Sequence, residues 1–249
     1  MRSKIIPISN VQRLAEAADA LLNRAYGMPG MGLVEGPTGY GKTTAVAWLV
    51  TRVNGVFVRA LATTTPSSLL DSICKELGIG KRSTNVATVE DIVRKLAETG
   101  RPLFIDEADY LADKRRLIET LRDIHDLATV PVVLIGMHGF RRKLTPLQQL
   151  TGRIAQWVDF QAASEFDARV LARELAEVDV DDALVGKLHA AAQGSVRLLV
   201  VGLAQIEQRA KNRGLRKIGV NEWGHGDFFV GVAPQGNKVV RPMLRPVSA

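Results

Sequence analysis

Cysteine, histidine, long apolar runs and, at one end, acidic residues are all scarce in this chain, and each shortage removes a class of protein. A single cysteine, Cys74, in 249 residues excludes an internal disulfide and any cysteine-rich metal site. The histidines, His125, His138, His189 and His225, are scattered, and none is paired at the i,i+4 spacing of a helical zinc site. Ile5-Ile6-Pro7-Ile8 is too short for a signal peptide and is broken by proline. No run approaches the roughly 20 apolar residues of a membrane span, so a soluble, cytoplasmic protein without a membrane partner is expected. Apolar residues nonetheless make up 46% of the chain, enough for a sizeable core. From Gln205 onward Arg209, Lys211, Arg213, Arg216, Lys217, Lys238, Arg241 and Arg245 face only Glu207, Glu222 and Asp227. That end holds most of the net charge of +7. Such an excess suits a polyanion such as nucleic acid, or simply a solvated surface.

What the chain does have is Gly36-Pro37-Thr38-Gly39-Tyr40-Gly41-Lys42-Thr43-Thr44. It fits the G-x-x-x-x-G-K-[ST] pattern of a phosphate loop. Met31 to Glu35, with Leu33-Val34, reads as a short buried strand before it, and Ala45 to Val50 as a helix after it. The loop needs that setting, because it must turn sharply and aim backbone N–H groups at phosphate. Glycine permits the close approach, and the helix N-terminus adds a favourable dipole. Lys42 is placed to reach the β- and γ-phosphates, and the Thr43 hydroxyl to hold Mg²⁺. ATP and Mg²⁺ are the expected ligands.

Taken in order, the chain alternates helices with strands. A helix over about 10–25 shows capping-box spacing between Ser9 and Gln12. Strands follow at 31–35, 56–60, 103–105, 132–135 and 157–160, with helices between them at 66–77, capped by Thr65-Pro66, and at 88–98. This predicts a five-stranded parallel sheet with helices on both faces. From Ser164 the strands cease, and helices at 165–176, 182–192 and 196–212 form a small helical lid domain. The expected organisation is an N-terminal helix and linker (1–30), an α/β domain (31–163), the lid (164–213) and a basic C-terminal extension (214–249). Within the extension Trp223 to Phe229 reads as an ordered turn and Pro242 to Ala249 as loose.

Asp106-Glu107 ends the third strand, where a hydrolase site needs its carboxylates. Asp106 is read as the Mg²⁺ ligand, and Glu107 as the group that orients or deprotonates the attacking water. Alone, Ile-Asp-Glu-Ala-Asp could be an acidic helix start; downstream of a phosphate loop it completes a site. His138 lies just past the fourth strand, where a polar side chain can touch phosphate or water, although a surface histidine in a glycine turn reads the same way. Arg153 precedes the fifth strand and Arg197 opens the last lid helix, and either could place a guanidinium on phosphate oxygens.

The order of phosphate loop, acidic strand end, residue after strand four, arginine before strand five and Gly194-Ser195-Val196-Arg197 in the lid resembles the AAA+ ATPases over about Met31 to Asn212. Within them, the spelling Val34 to Thr44 and the compact size resemble the transposition ATPases, the group of the phage Mu B target-DNA activator and the insertion-sequence helper ATPases. The resemblance implies an AAA+ P-loop fold and an ATP-dependent homo-oligomer, often a filament, on double-stranded DNA without sequence preference. It also implies a transposase partner. By residue it implies Arg153 as a finger reaching a neighbouring subunit's ATP, Arg197 as the lid sensor and His138 as the strand-four sensor. One helix precedes the loop where the Mu protein carries a further DNA-binding domain, so DNA contact is expected from the ATPase domain or the basic end. Related filaments point to Thr64, Lys81 and Arg82, with Lys114-Arg115-Arg116 a further basic cluster. The alternative is a helicase loader, or a remodelling or secretion-linked AAA+ ATPase.

Overall fold

The computed structural model describes residues 1–25 and 27–229; Lys238, Arg241, Arg245 and the expected loose end at 242–249 lie outside them. Strands β1 (Met31–Glu35), β2 (Val56–Arg59), β3 (Leu103–Asp106), β4 (Val132–Ile135) and β5 (Ile154–Asp159) form one sheet in the order β2-β3-β4-β1-β5. Every pairing in it is parallel. Strands β1, β3 and β4 are buried along their whole length, as expected of runs covered on both faces. Side-chain alternation divides them between two cores. Val34, Phe104 and Val133 face α1 (Ser9–Leu22), α2 (Lys42–Arg52) and the lid. Leu33, Ile105 and Leu134 face α3 (Pro66–Leu77), α4 (Asn85–Thr99) and α5 (Arg115–Ala128). Short helices α6 (Phe140–Leu144) and α7 (Gln148–Thr151) join β4 to β5.

The lid comprises α8 (Glu165–Leu175), α9 (Asp182–Ala192) and α10 (Val196–Asn212), each capped by an upstream side chain: Ser164, Asp181 and Ser195. Strands do not cease at 164, however. Asp179–Val180 (β6) pairs in parallel with Lys217–Ile218 (β7), and Val220–Trp223 (α11) packs on α9 and β7. The described part of the C-terminal extension therefore belongs to the lid. Trp223 stacks on Phe228 at 5.0 Å, and Arg209 lies over the same indole at 4.2 Å.

Several details differ from the sequence reading, among them the end of α1, at Leu22 rather than near residue 25. Helix α4 starts at Asn85, capped by Thr84; Thr88 is fully buried inside it and donates to the Thr84 carbonyl. Strand β5 starts at Ile154, where its register against β1 shifts between Met31 and Gly32. Helix α1 has no capping box: its cap is Ile8, which makes no side-chain bond, and Ser9 turns instead to Asp167 in the lid. No helix among the described residues is long and apolar enough to cross a membrane.

Candidate nucleotide-binding site

Parallel strands bring their C-terminal ends to one edge, so the turns after β1, β3 and β4, which are neighbours in the sheet, converge there. The turn after β1 is the phosphate loop. At Gly36 (φ 156°) a Cβ would lie 2.7 Å from that of Phe160, so a side chain is excluded by the β5 chain end. Gly41 (φ 86°) sets the left-handed turn from which α2 begins. Thr38, Gly39, Tyr40, Gly41, Lys42, Thr43 and Thr44 line a cavity of about 1040 Å³, at the upper end of the roughly 300–1,000 Å³ common for ligand sites. Gly36 and Pro37 do not line it. Their carbonyls accept from Lys42 Nζ at 2.6 and 3.0 Å, which holds the ammonium against the loop. Desolvation lowers the Lys42 pKa, while Glu107, Asp106 and Asp109 oppose that shift.

Asp106 is 3% exposed, and its Oδ2 stands 3.2 Å from the Thr43 hydroxyl. A hydroxyl and a buried carboxylate at that separation fit Mg²⁺, a cation that takes few protein oxygens and completes its shell with water and phosphate. Glu107 follows in the left-handed region (φ 55°), a conformation costing a non-glycine residue about 1 kcal/mol or more and concentrated at functional sites. Its N–H donates to Asp106 Oδ1, and the residue lines the cavity.

Sequence reasoning missed Arg59. The β2–β3 register sets it opposite Asp106, and its Nη2 lies 3.7 Å from Asp106 Oδ2 and 3.5 Å from Glu107 Oε1. Nothing local marks an arginine at a strand end; only the pairing reveals it. The apolar half of the cavity was also missed. Ile6, Ile8, Trp48, Phe160, Leu171 and Val200 line it, from the N-terminal segment, α2, β5 and the lid.

Of the remaining candidates, Arg197 lies in the cavity wall, and its N–H donates to the Gly39 carbonyl at 2.9 Å, tying α10 to the loop. His138 does not join the site. It is exposed, and the strand-four turn offers Gly136 and Met137 instead, the latter donating its N–H to Asp109 at 3.1 Å. Arg153 stands at the start of β5, beside Met31 at the start of β1, and is paired with Asp126 at 2.6 Å. The length of the sheet separates it from its own phosphate loop.

The proposed DNA contacts divide. Thr64 is 9% exposed and accepts from the Leu61 N–H, so it closes its own turn rather than presenting itself to a polyanion. Lys114 donates to the Ala62 and Thr64 carbonyls at 2.7 and 2.9 Å, so its ammonium pins the same turn. Arg115 pairs with Glu119, and Arg116 is exposed. Lys81 bonds the Ser67 hydroxyl, and Arg82 pairs with Asp91 at 2.6 Å; both lie on an open surface.

Residues 26–144 match a family model described as an AAA domain. No curated protein sequence matches the chain. Among solved structures, the Aeropyrum pernix ORC1 protein in complex with DNA is similar at TM-score 0.60 and 22% identity, over 86% of this chain and 62% of that one. The ORC2 protein of the same organism, in its ADP form, gives 0.67 at 16% identity, over 88% and 68%. The Thermotoga maritima RuvB Holliday junction branch migration motor gives 0.59 at 18%, over 86% and 66%. The chain thus spans 62–68% of the length of these proteins, and at such identities the likeness carries the fold alone. The matched family segment contains the phosphate loop, its helix and the acidic end of β3, and the chain has the AAA+ type of P-loop fold.

Proposed function

We propose that the protein is an ATP-driven, oligomeric, DNA-associated ATPase of the loader or remodeller kind. The observation that carries the reading is the Lys42, Thr43, Asp106 and Glu107 constellation at one sheet edge. Lys42 supplies fixed positive charge to the phosphates, and Arg197 adds a second cation from the lid. Thr43 and Asp106 would hold Mg²⁺, which would neutralise charge on the phosphate oxygens. Glu107 orients the attacking water and accepts its proton, and positioning and charge account for most of such catalysis. Arg153 lies too far from its own loop to act there, so its proposed role is on an adjacent subunit.

DNA association draws support from the basic excess and from the likeness to an ORC1 protein solved with DNA and to a Holliday junction branch migration motor. Those likenesses favour a loader or remodeller over the recruitment of a transposase, which rests on the spelling of the loop and the compact size. Lys81 and Arg82 remain the proposed phosphate-backbone contacts. The test is ATP hydrolysis with and without random-sequence duplex, with electron microscopy of the same samples. Turnover stimulated by duplex, with rings or short spirals, is expected. Absence of turnover under every condition would sink the ATPase reading, and long filaments that capture a transposase would restore the transposition reading.

A further inference from the structure

We infer that Asp167, with Asn10, is a pivot that fixes the lid to the first turn of α1 and so holds the base-side wall of the nucleotide cavity in place. The inference rests on the ATPase reading above. Asp167 is 4% exposed, and its carboxylate serves two helices at once. One oxygen accepts from the Ser9 N–H and hydroxyl, at 3.0 and 2.8 Å, and the other from the Ser164 N–H and hydroxyl, both at 2.9 Å. The Ser164 bonds are the capping box of α8. The Ser9 bonds do for α1 what its own sequence does not, since α1 has neither a capping side chain nor an acid in its first turn.

The next residue repeats the attachment. Asn10, 3% exposed, donates Nδ2 to the Gln161 carbonyl at 2.8 Å and accepts the Gln161 N–H at 3.1 Å. The linker from β5 to α8 is thereby gripped at both ends by two consecutive residues of α1. Upstream, the Arg2 N–H donates to the Leu175 carbonyl, so the segment before α1 lies along α8. Ile6, Ile8, Asn10 and Val11 then share a cavity wall with Leu171 and Leu175 of α8. The phosphate end of the cavity is built by the sheet and needs none of these bonds. The apolar end needs the lid, the segment and α1 to keep one mutual arrangement. Arg2, Lys4 and the N-terminal ammonium tie the segment to the lid at Leu175, Glu174 and Glu207, and Ser9 and Asn10 tie α1 to it through Asp167 and Gln161.

The test is Ser9→Ala combined with Asn10→Ala, which leaves the phosphate loop, both catalytic carboxylates and the α8 box untouched. Affinity for ATP should fall about tenfold or more, given what bonds to a buried charge contribute. Affinity for inorganic tripolyphosphate, which has no base, should stay at the parent value. Ser9→Thr, which keeps the hydroxyl, should preserve the parent's preference for ATP. Ser164→Ala should lower the melting temperature without changing that preference. A double variant that binds ATP as tightly as the parent, or loses both ligands equally, overturns the pivot. If the double variant does not fold, hydrogen exchange on Ser9→Ala alone decides. Faster exchange at residues 4–8, with the first turn of α8 still protected, supports the pivot; unchanged exchange overturns it. A parent that binds neither ligand fails the ATPase reading and takes the pivot with it, a result distinct from a parent that binds ATP and a variant that matches it.

Discussion

At the scale of single residues, the site turns on charges held near one another before any ligand arrives. Lys42→Ala should cost roughly 2–5 kcal/mol of nucleotide affinity, the usual loss when one partner of a buried charge contact is truncated; calorimetry with ATP measures it. Glu107→Gln should bind ATP like the parent yet not turn it over, since the amide cannot accept the water's proton. Arg59 makes a sharper prediction. Its guanidinium is 3.5 Å from Glu107 Oε1, so that oxygen is turned to the guanidinium rather than to an attacking water. Arg59→Ala should therefore raise turnover in the absence of DNA severalfold with ATP affinity little changed, and a slower variant would show that Arg59 supports catalysis instead. The loop and Asp106-Glu107 were legible in sequence because their chemistry fixes residue types at local spacings. Arg59 was not, because its role comes from β2 lying beside β3. His138 misled because a polar residue after a buried strand is a pattern without a direction, and here Gly136 and Met137 take the cavity wall.

At the scale of elements, buried strand runs and 3.6-residue stripes were enough to place the sheet and the three lid helices. What they could not show was any bond between distant elements. The Ser9–Gln12 spacing looked like a cap because a capping box is local, whereas the acceptor for Ser9 is Asp167, in the lid. The two-residue pairing of β6 with β7 gives no periodic signal at all. Burial pushes the Asp167 carboxyl up, but the Ser9 and Ser164 N–H and hydroxyl donors outweigh it, so its pKa ends below the ordinary value. A carboxyl lowered in the folded state stabilises the fold above its unfolded pKa of about 3.9 and loses that contribution as pH falls through the folded value. Asp167→Asn should accordingly cost about 1–2 kcal/mol at neutral pH, on the scale of lost helix caps. The difference from the parent should shrink as pH drops below about 4. Urea titrations at neutral pH and near pH 3 test both statements, and a gap that stays constant would assign the loss to shape rather than charge.

At the scale of the whole molecule, the proposed function asks two surfaces to meet partners, and their chemistry separates them. Arg153 sits at the opposite end of the sheet from its own phosphate loop, so any action on nucleotide has to be on a neighbour. Arg153→Ala should bind ATP normally and lose roughly 10³-fold or more in assembled turnover, the scale known for arginines supplied in trans. Mixing it with Lys42→Ala subunits should recover part of that rate if the two co-assemble, and proven co-assembly without recovery would argue for the Asp126 pair as a structural contact only. DNA poses the second question, and here the geometry divides residues that the sequence grouped together. Lys81 and Arg82 are exposed on an open loop, whereas the Lys114 ammonium is spent on two carbonyls of the turn after β2. Each phosphate neutralised contributes a slope of roughly −0.9 in log K against log salt. Lys81→Ala with Arg82→Ala should therefore flatten the salt dependence of duplex binding by up to about 1.8 while leaving ATP affinity unchanged. Lys114→Ala should leave the slope alone and instead speed hydrogen exchange across residues 60–65, because it unpins a turn rather than removing a contact. Truncation after Phe229 removes Lys238, Arg241 and Arg245 and serves as the rival experiment. If it flattens the slope and the loop variant does not, DNA is held by the C-terminal charge and the loop assignment is wrong.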